Sequence, residues 1–359
     1  MSARIALFSA LAAIGCGSAH EPLPLLTTHG SSLVLQKPRL VSITYADYEY
    51  RQQVDAFGDF IVGSNWLETV VGEYGVQKGS HVAAHIDGPA PAVTSDFDEE
   101  KALQAWIESG QVPAPDAQTL YMIYVSSRTT ASDHEGDRSC TSEGGYHSVA
   151  QLAAQTAFIY AVVYDCSGLD DVTAAASHEL IEAAIDPDLD SYYLTYDPKL
   201  PVSQENADLC ENLPAIDEGG FKVVRAWSNA AARAGHEPCV PAPPGDIYYN
   251  ISVSPPDVQD VKPGETVTFE LTGWSDAKVD PWVIIPLPGH LSALDLSVSL
   301  DTNRIGNGGH ATLKVTVPPD AKPGAGYVDI YSGPLWQRFN FAGVRVPGFQ
   351  VTDLVPGKR

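Results

Sequence analysis

The sequence predicts two folded domains, an α/β layer domain followed by an all-β sandwich. Up to about residue 241, strand-like apolar segments alternate with segments of helical period. A Pro-rich stretch, Val240-Pro241-Ala242-Pro243-Pro244-Gly245-Asp246, then interrupts the chain. Beyond it, apolar and polar residues alternate between Pro/Gly turns, the pattern of short antiparallel strands. A length of 359 residues accommodates two domains.

Residues 1–19 read as an export segment. Arg4 supplies a positive charge, and Ile5 to Gly15 is an apolar run too short to span a bilayer. Ala13-Ile14-Gly15-Cys16 resembles the bacterial lipoprotein signal, whose Cys is lipidated and becomes the new N-terminus, although Ala13 stands where Leu is usual. Cleavage after Ala19, at Gly17-Ser18-Ala19, is the alternative and would give a secreted protein. The expectation is a lipid-anchored protein of the bacterial cell envelope, touching the membrane only through Cys16. Residues 20–38, mixed in Pro, Ser, Thr and Leu, read as a tether.

Within residues 39–241, Arg39 to Ala46 alternates as a strand, and Tyr48 to Tyr74 is helical with a break near Gly63-Ser64. His81 to Ile86 is a second strand, and Asp96 to Ser109 a helix started by Asp96. Leu120 to Ser126 and Phe158 to Asp165 are apolar and rich in β-branched or aromatic residues, as central strands are. Asp171 to Ile185 has no Gly or Pro and is rich in Ala, so it is helical, with Asp170 or Asp171 as cap and Pro187 past its end. Residues 242–246 are the linker. In residues 247–355, the strands beginning at Ile251, Lys262, Ala311 and Lys322 predict an immunoglobulin-like sandwich with no catalytic signal.

The net charge of −24 argues against nucleic-acid binding and against docking on anionic lipid. Setting Cys16 aside leaves Cys140, Cys166, Cys210 and Cys239, an even number that an oxidising compartment would pair in one of three ways. No Cys-x-x-Cys metal knuckle is present.

Chemistry concentrates in the helix ending Ser177-His178-Glu179-Leu180-Ile181-Glu182. Helical spacing stacks His178 on Glu182 and sets Glu179 beside them. This is the arrangement of the His-Glu-x-x-His zinc-protease helix, with Glu182 in place of the second His. Glu179, Glu182 and Asp186 repel one another on a helix without Lys or Arg. Ala174, Ala175, Ile181 and Ile185 turn that face inward, so the carboxylates need a cation, either a metal or a distant Arg such as Arg225. Farther along stand Glu205 and Asp208. In zinc proteases of the glutamate-zincin kind a downstream Glu is the third ligand, a role open to Glu205, with Asp208 behind it or in its place. His147, in Gly144-Gly145-Tyr146-His147-Ser148, is a ligand, a transition-state donor or a loop His. Trp227 reads as core. Asp186, Asp188, Asp190 and Asp197 resemble an EF-hand calcium loop, but Pro187 and Ser191 depart from it, and an acidic loop is the simpler reading. The Gly-x-Ser-x-Gly elbow of a serine hydrolase is missing.

Taken in order, Ser126-Ser127, Cys140, Gly145-Tyr146-His147-Ser148, Cys166, Ser177-His178-Glu179-Leu180-Ile181-Glu182-Ala183, Glu205-x-x-Asp208-Leu209-Cys210, Trp227-Ser228-Asn229 and Gly235-His236-Glu237-Pro238-Cys239 resemble the bacterial relatives of the plant exordium (phosphate-induced) family. The likeness covers roughly residues 39–241, and Gly63-Ser64-Asn65-Trp66-Leu67 belongs to it. It implies an exported protein with a zincin-like site in which Glu182 is a family trait. With it, we expect Cys140 to pair with Cys166, pinning the His147 segment to the strand before the helix. Cys210 would pair with Cys239, holding the Glu205 loop.

The expected function is that of an exported metal-dependent hydrolase, a zinc peptidase using a metal-activated water. Its ligands would be His178, Glu182 and Glu205, with His147 or Asp208 completing the shell and Glu179 as general base. The alternative is a non-enzymatic cell-surface binding protein with a structural zinc or calcium. A peptide or wall polymer is the expected partner and a monomer the expected state.

Overall fold

A central sheet organises the first domain. In the computed structural model, which describes residues 23–132, 138–141, 144–195, 203–289, 292–333 and 338–348, its strands are β1 (Arg39–Tyr45), β2 (Ser80–Ile86), β3 (Thr119–Val125), β4 (Gly145–Gln151) and β5 (Ala157–Tyr164). Their order is β2-β1-β3-β5-β4. The first four run parallel, and β4 is antiparallel to β5 at one edge. β3 is buried at every position, the reason its sequence reads as an unbroken apolar run rather than an alternation.

Helices α1 (Arg51–Ile61), α2 (Asn65–Val71), α3 (Asp96–Ser109), α4 (Leu169–Ile185) and α5 (Asn229–Ala234) complete the domain. Leu40, Met122, Tyr124, Ala161 and Val163 of the sheet pack on one face against Val54, Phe57, Val172 and Leu180 of α1 and α4. On the other face Ile43, Ile123, Val125 and Val162 pack against Leu103 and Ile107 of α3. Because neighbouring strand residues point oppositely, Tyr146 and His147 of β4 serve different faces.

Three expectations need correction. Gly145–Gln151 is an edge strand, not a loop: the Gly pair before it hid a short alternation that is legible once β5 supplies a partner. The tether reading fails from Leu23 onward. Leu23, Leu26 and Leu35 are buried, Thr27–Thr28 pairs with Tyr192–Tyr193, and Asn229 exchanges two hydrogen bonds with the Leu26 backbone. Helix α3 starts at Asp96 as the sequence predicts, with the Ser95 hydroxyl accepting from Asp98 N–H as its cap. Helix α4 begins at Leu169 with Gly168 as N-cap, and Asp165 accepts the Gly168 N–H at 2.9 Å, so neither Asp170 nor Asp171 is its cap. The export segment with Cys16, and Asp197, lie outside the described residues.

Cys140 is bonded to Cys166 and Cys210 to Cys239. The second domain is a sandwich of two sheets. β6 (Tyr249–Ser254), β7 (Thr266–Ser275), β9 (Ser297–Leu300) and β10 (His310–Thr316) form one, in the order β6-β7-β10-β9. β8 (Trp282–Pro288), β11 (Gly324–Ser332) and β12 (Arg338–Val346) form the centre of the other, in the order β12-β11-β8. Phe269, Leu271, Leu313, Val328 and Ile330 fill the space between. At the junction Arg338 pairs with Glu237, and Tyr248 and Trp274 join the core of the first domain. The chain is thus mostly β, and no helix among the described residues is long and apolar enough to cross a membrane.

Candidate metal centre

Three elements converge beside the edge strand. Helix α4 presents His178, Glu179 and Glu182, strand β4 presents His147, and the segment before the 3-10 turn Asp208–Cys210 presents Glu205 and Asp208. That last segment has little regular structure, so it is held by cross-links. Cys210 is bonded to Cys239, whose strand pairs with Ala226–Trp227, and the Trp227 N–H donates to the Asn206 carbonyl at 2.8 Å. Trp227 itself is core.

His178 Nε2 lies 3.1 Å from Glu182 Oε1 and 3.3 Å from Asp208 Oδ1. The Asp208 N–H donates to Glu182 Oε1 at 3.2 Å, and the Glu205 N–H donates to Asp208 Oδ2 at 3.1 Å. The ligand-type atoms of His178, Glu182 and Asp208 all fall within 4.8 Å of one another. A second group shares Glu182. His147 Nδ1 is 3.6 Å from Glu179 Oε2 and 3.9 Å from Glu182 Oε2. His147 Nε2 faces the Asp186 carbonyl at 3.2 Å and Glu205 Oε1 at 3.6 Å. Asp208, rather than Glu205, therefore stands against His178, and Glu205 sits against His147 with its buried Oε1 lacking a hydrogen-bond partner. Gly145 makes room for this: a Cβ there would meet the Val162 carbonyl at 2.7 Å and Glu179 Oε1 at 3.2 Å.

The electrostatics are those of a site short of positive charge. Burial pushes Glu182 up to about 7, with Asp208 adding to the shift, and burial likewise raises Glu205 well above the carboxylate range. Burial would neutralise His147, but the carboxylates of Glu205, Glu179 and Glu182 outweigh it and raise the imidazole to about 10. His178 is raised in the same way, against burial, by Glu182 and Asp208. Burial also opposes ionisation of Asp208, yet its hydrogen bond to His178 holds it below its ordinary value. Among the described residues no Lys or Arg pairs with these four carboxylates. Arg225 is engaged elsewhere, donating to the Cys239 carbonyl and pairing with Asp246 at 3.2 Å.

Two rival constellations dissolve on inspection. In the acidic loop after α4, Asp186 accepts the Ser191 N–H, Asp188 the Ser191 hydroxyl and Asp190 the Gly30 N–H. These carboxylates are spent on turn geometry. His81 bridges Ser42 Oγ at 2.9 Å and Asp59 Oδ1 at 2.8 Å, the spacing of a Ser-His-Asp relay. Ser42 is fully buried inside β1, however, with no access for a substrate.

One cluster gave no recognisable sequence signal. On the opposite face of the sheet, Glu99 Oε2 accepts from Tyr146 Oη at 3.3 Å and Tyr164 Oη at 3.4 Å. In the sequence Glu99 is indistinguishable from a solvated acid in the first turn of a helix. Alternation along β4 would have placed Tyr146 on that face.

No family model and no curated protein matches the chain. Among solved structures, domains 5-6 of the S-layer protein SbsC align over 28% of this chain and 45% of that one, at 18% identity and a TM-score of 0.22. Metalloproteinase-II from Bacteroides fragilis aligns over 44% of this chain and 45% of that one, at 14% identity and a TM-score of 0.27. The chain thus spans less than half of either structure.

Proposed function

We propose that this protein is an extracytoplasmic metal-dependent hydrolase of zincin-like design, acting on peptides. The observation that carries the reading is the His178–Glu182–Asp208 cluster, three ligand-type side chains converging from a helix and a disulfide-held segment, with no Lys or Arg partner among the described residues. The donor set suits zinc: one imidazole and two carboxylates, with Glu205 close by, its Oε1 making no hydrogen bond. A zinc ion held there would supply Lewis acidity, polarising a carbonyl and acidifying a water.

The chain's own residues supply the rest. Glu179, one residue from His178 and facing His147, is placed to take a proton from the attacking water and pass it to the leaving amine. His147 Nε2 faces a carbonyl acceptor, so that nitrogen carries hydrogen and the ring is held against Glu179. Strand β4 has no neighbour on its outer side among the described residues. Its free N–H and C=O groups would pair an extended peptide beside the cluster, which supports peptide as the substrate class.

The two disulfides fit an oxidising compartment outside the cytoplasm. Lipidation at Cys16 is part of the proposal, as is kinship with the exordium-like proteins. A mature protein with a free His20 N-terminus in mass spectrometry would replace the anchor by ordinary secretion.

The test is metal analysis of purified protein joined to a peptidase assay. One zinc per chain, and hydrolysis lost in Glu179→Gln with the zinc retained, is the expected result. Because two carboxylates make a harder set than His-rich sites, calcium alone with no hydrolysis would favour the structural-metal alternative. Protein that neither holds nor takes up a divalent metal would end the reading.

A further inference from the structure

The first domain contains a cavity of about 420 Å³ on the face of the sheet away from the metal cluster. It lies at the carboxyl ends of β1 and β3, where Tyr45, Ile123 and Val125 end their strands, and α3 closes it with Glu99 and Trp106. Crevices at the carboxyl ends of parallel strands are where open α/β sheets bind ligands. Tyr45 and Trp106 meet edge to face, their ring centroids 5.6 Å apart, and form an aromatic wall. Val93, 70% exposed, adds an apolar lip at the surface.

The lining is mostly apolar, its polar side chains being Thr94, Thr129 and the acids Asp98 and Glu99, and none of its side chains is basic. Glu99 is only 5% exposed. One of its oxygens takes both tyrosine hydroxyls, and the other, Oε1, is buried without a hydrogen-bond partner. A buried carboxyl oxygen without a partner loses free energy that a donor would restore, and Glu99 is part of the cavity wall. Nearby Asp98, on the same lining, adds negative charge. Aromatic faces joined to a carboxylate make the chemistry that recognises ammonium groups.

We infer that this cavity is a binding site for a small organic cation, a primary ammonium on an apolar or aromatic stem. The ammonium donates to Glu99, and the stem lies against Tyr45 and Trp106. Burial, with the charge of Asp96 adding to it and the two tyrosine hydroxyls opposing it, raises the Glu99 carboxyl to about 8, so it holds its proton near neutrality. A bound ammonium brings the counter-charge that lets it ionise. The site is independent of the metal reading.

Phenethylamine is the probe, with 2-phenylethanol as its neutral isostere and 3-phenylpropanoate as the anion. Calorimetry and thermal shift on the full chain should show saturable binding of the amine, about tenfold or more tighter than the alcohol, and none of the anion. Glu99→Gln, isosteric with the protonated acid, should weaken the amine about tenfold or more and leave the alcohol unchanged. Ala102→Leu, which fills the cavity from α3, should weaken both. No saturable amine binding, equal binding of amine and alcohol, or an unchanged amine affinity in Glu99→Gln would overturn the inference. Should Glu99→Gln fail to fold, the amine-to-alcohol ratio and Ala102→Leu decide it.

Discussion

The two faces of strand β4 bury carboxyl groups in opposite ways. On the His147 face, Glu179, Glu182, Glu205 and Asp208 crowd two imidazoles with no Lys or Arg among them. On the Tyr146 face, Glu99 is buried with two tyrosine hydroxyls. A single carboxyl adapts to burial by keeping its proton, and Glu99 is raised to about 8 accordingly. Four carboxyls converging from α4 and the 205–208 segment leave a charge deficit that two imidazolium groups do not cover, and a divalent cation would remove it. Burial under tyrosine hydroxyls therefore makes a pH-sensitive group, whereas convergent burial makes a cluster that a divalent cation could fill.

The largest effect should come from pH on the Tyr146 face. The folded-state pKa of Glu99 lies above its unfolded value, so the folded chain holds a proton that the unfolded chain releases. Its contribution is fully present below about pH 4.5 and is lost as pH rises through about 8. Burial this deep makes the loss on the order of 3–5 kcal/mol. Denaturant titrations between pH 5 and 9 should show stability falling in wild type, and a shallower fall in Glu99→Gln. Parallel slopes for the two proteins would break the comparison.

Opening one disulfide comes next and tests the His147 face. Cys210 and Cys239 are 29 positions apart, and removing their bond by double substitution to Ser should cost about 3–4 kcal/mol in the chain-entropy model. It should also loosen Asp208, so metal affinity should fall along with the melting temperature. Loss of stability with metal affinity intact would show that the segment is positioned by its backbone contacts alone.

Chelation should have a somewhat smaller effect. A metal present at a hundred times its Kd stabilises by about 2.7 kcal/mol, and EDTA should remove that increment. His178→Ala should melt like chelated wild type and respond to EDTA not at all. A chelator response that survived in His178→Ala would move the ion elsewhere in the molecule.

The smallest effect should come from the sandwich. Residues 245–359 expressed alone should give a dispersed NMR spectrum, because their core is self-contained, and should take up no zinc. The exposed Tyr248 and Trp274 and the lost Arg338–Glu237 pair are the expected penalty of separation. A collapsed, dispersionless spectrum would make the junction part of one cooperative unit.

Much of the architecture was legible residue by residue. Alternation located β1, helical composition and end signals α3 and α4, and unbroken apolar runs β3 and β5, all to within two residues, because burial dictates the polarity of each. The Pro-rich stretch 240–246 falls where the chain leaves the strand Cys239–Val240 and before β6, since Pro and Gly interrupt any pattern. Strand β4 was hidden: after Gly144-Gly145, a short half-buried segment reads as a turn until its partner is known. Residues 23–38 were misread because composition cannot show that Leu26 and Leu35 find a pocket. In the site, helical spacing united His178 and Glu182, but no spacing rule could choose between Glu205 and Asp208 three residues away.

By itself the sequence determined most of the strands and helices and the acidic helix without Lys or Arg, since these follow from periodicity, charge and chain-breaking residues acting locally. Only the tertiary structure decided which carboxylate meets His178, that His147 comes from an edge strand, and that Glu99 lies under two tyrosines beside a cavity. Such meetings join residues distant along the chain, and their distances are set by how the sheet, α3, α4 and the Cys210–Cys239 cross-link pack together.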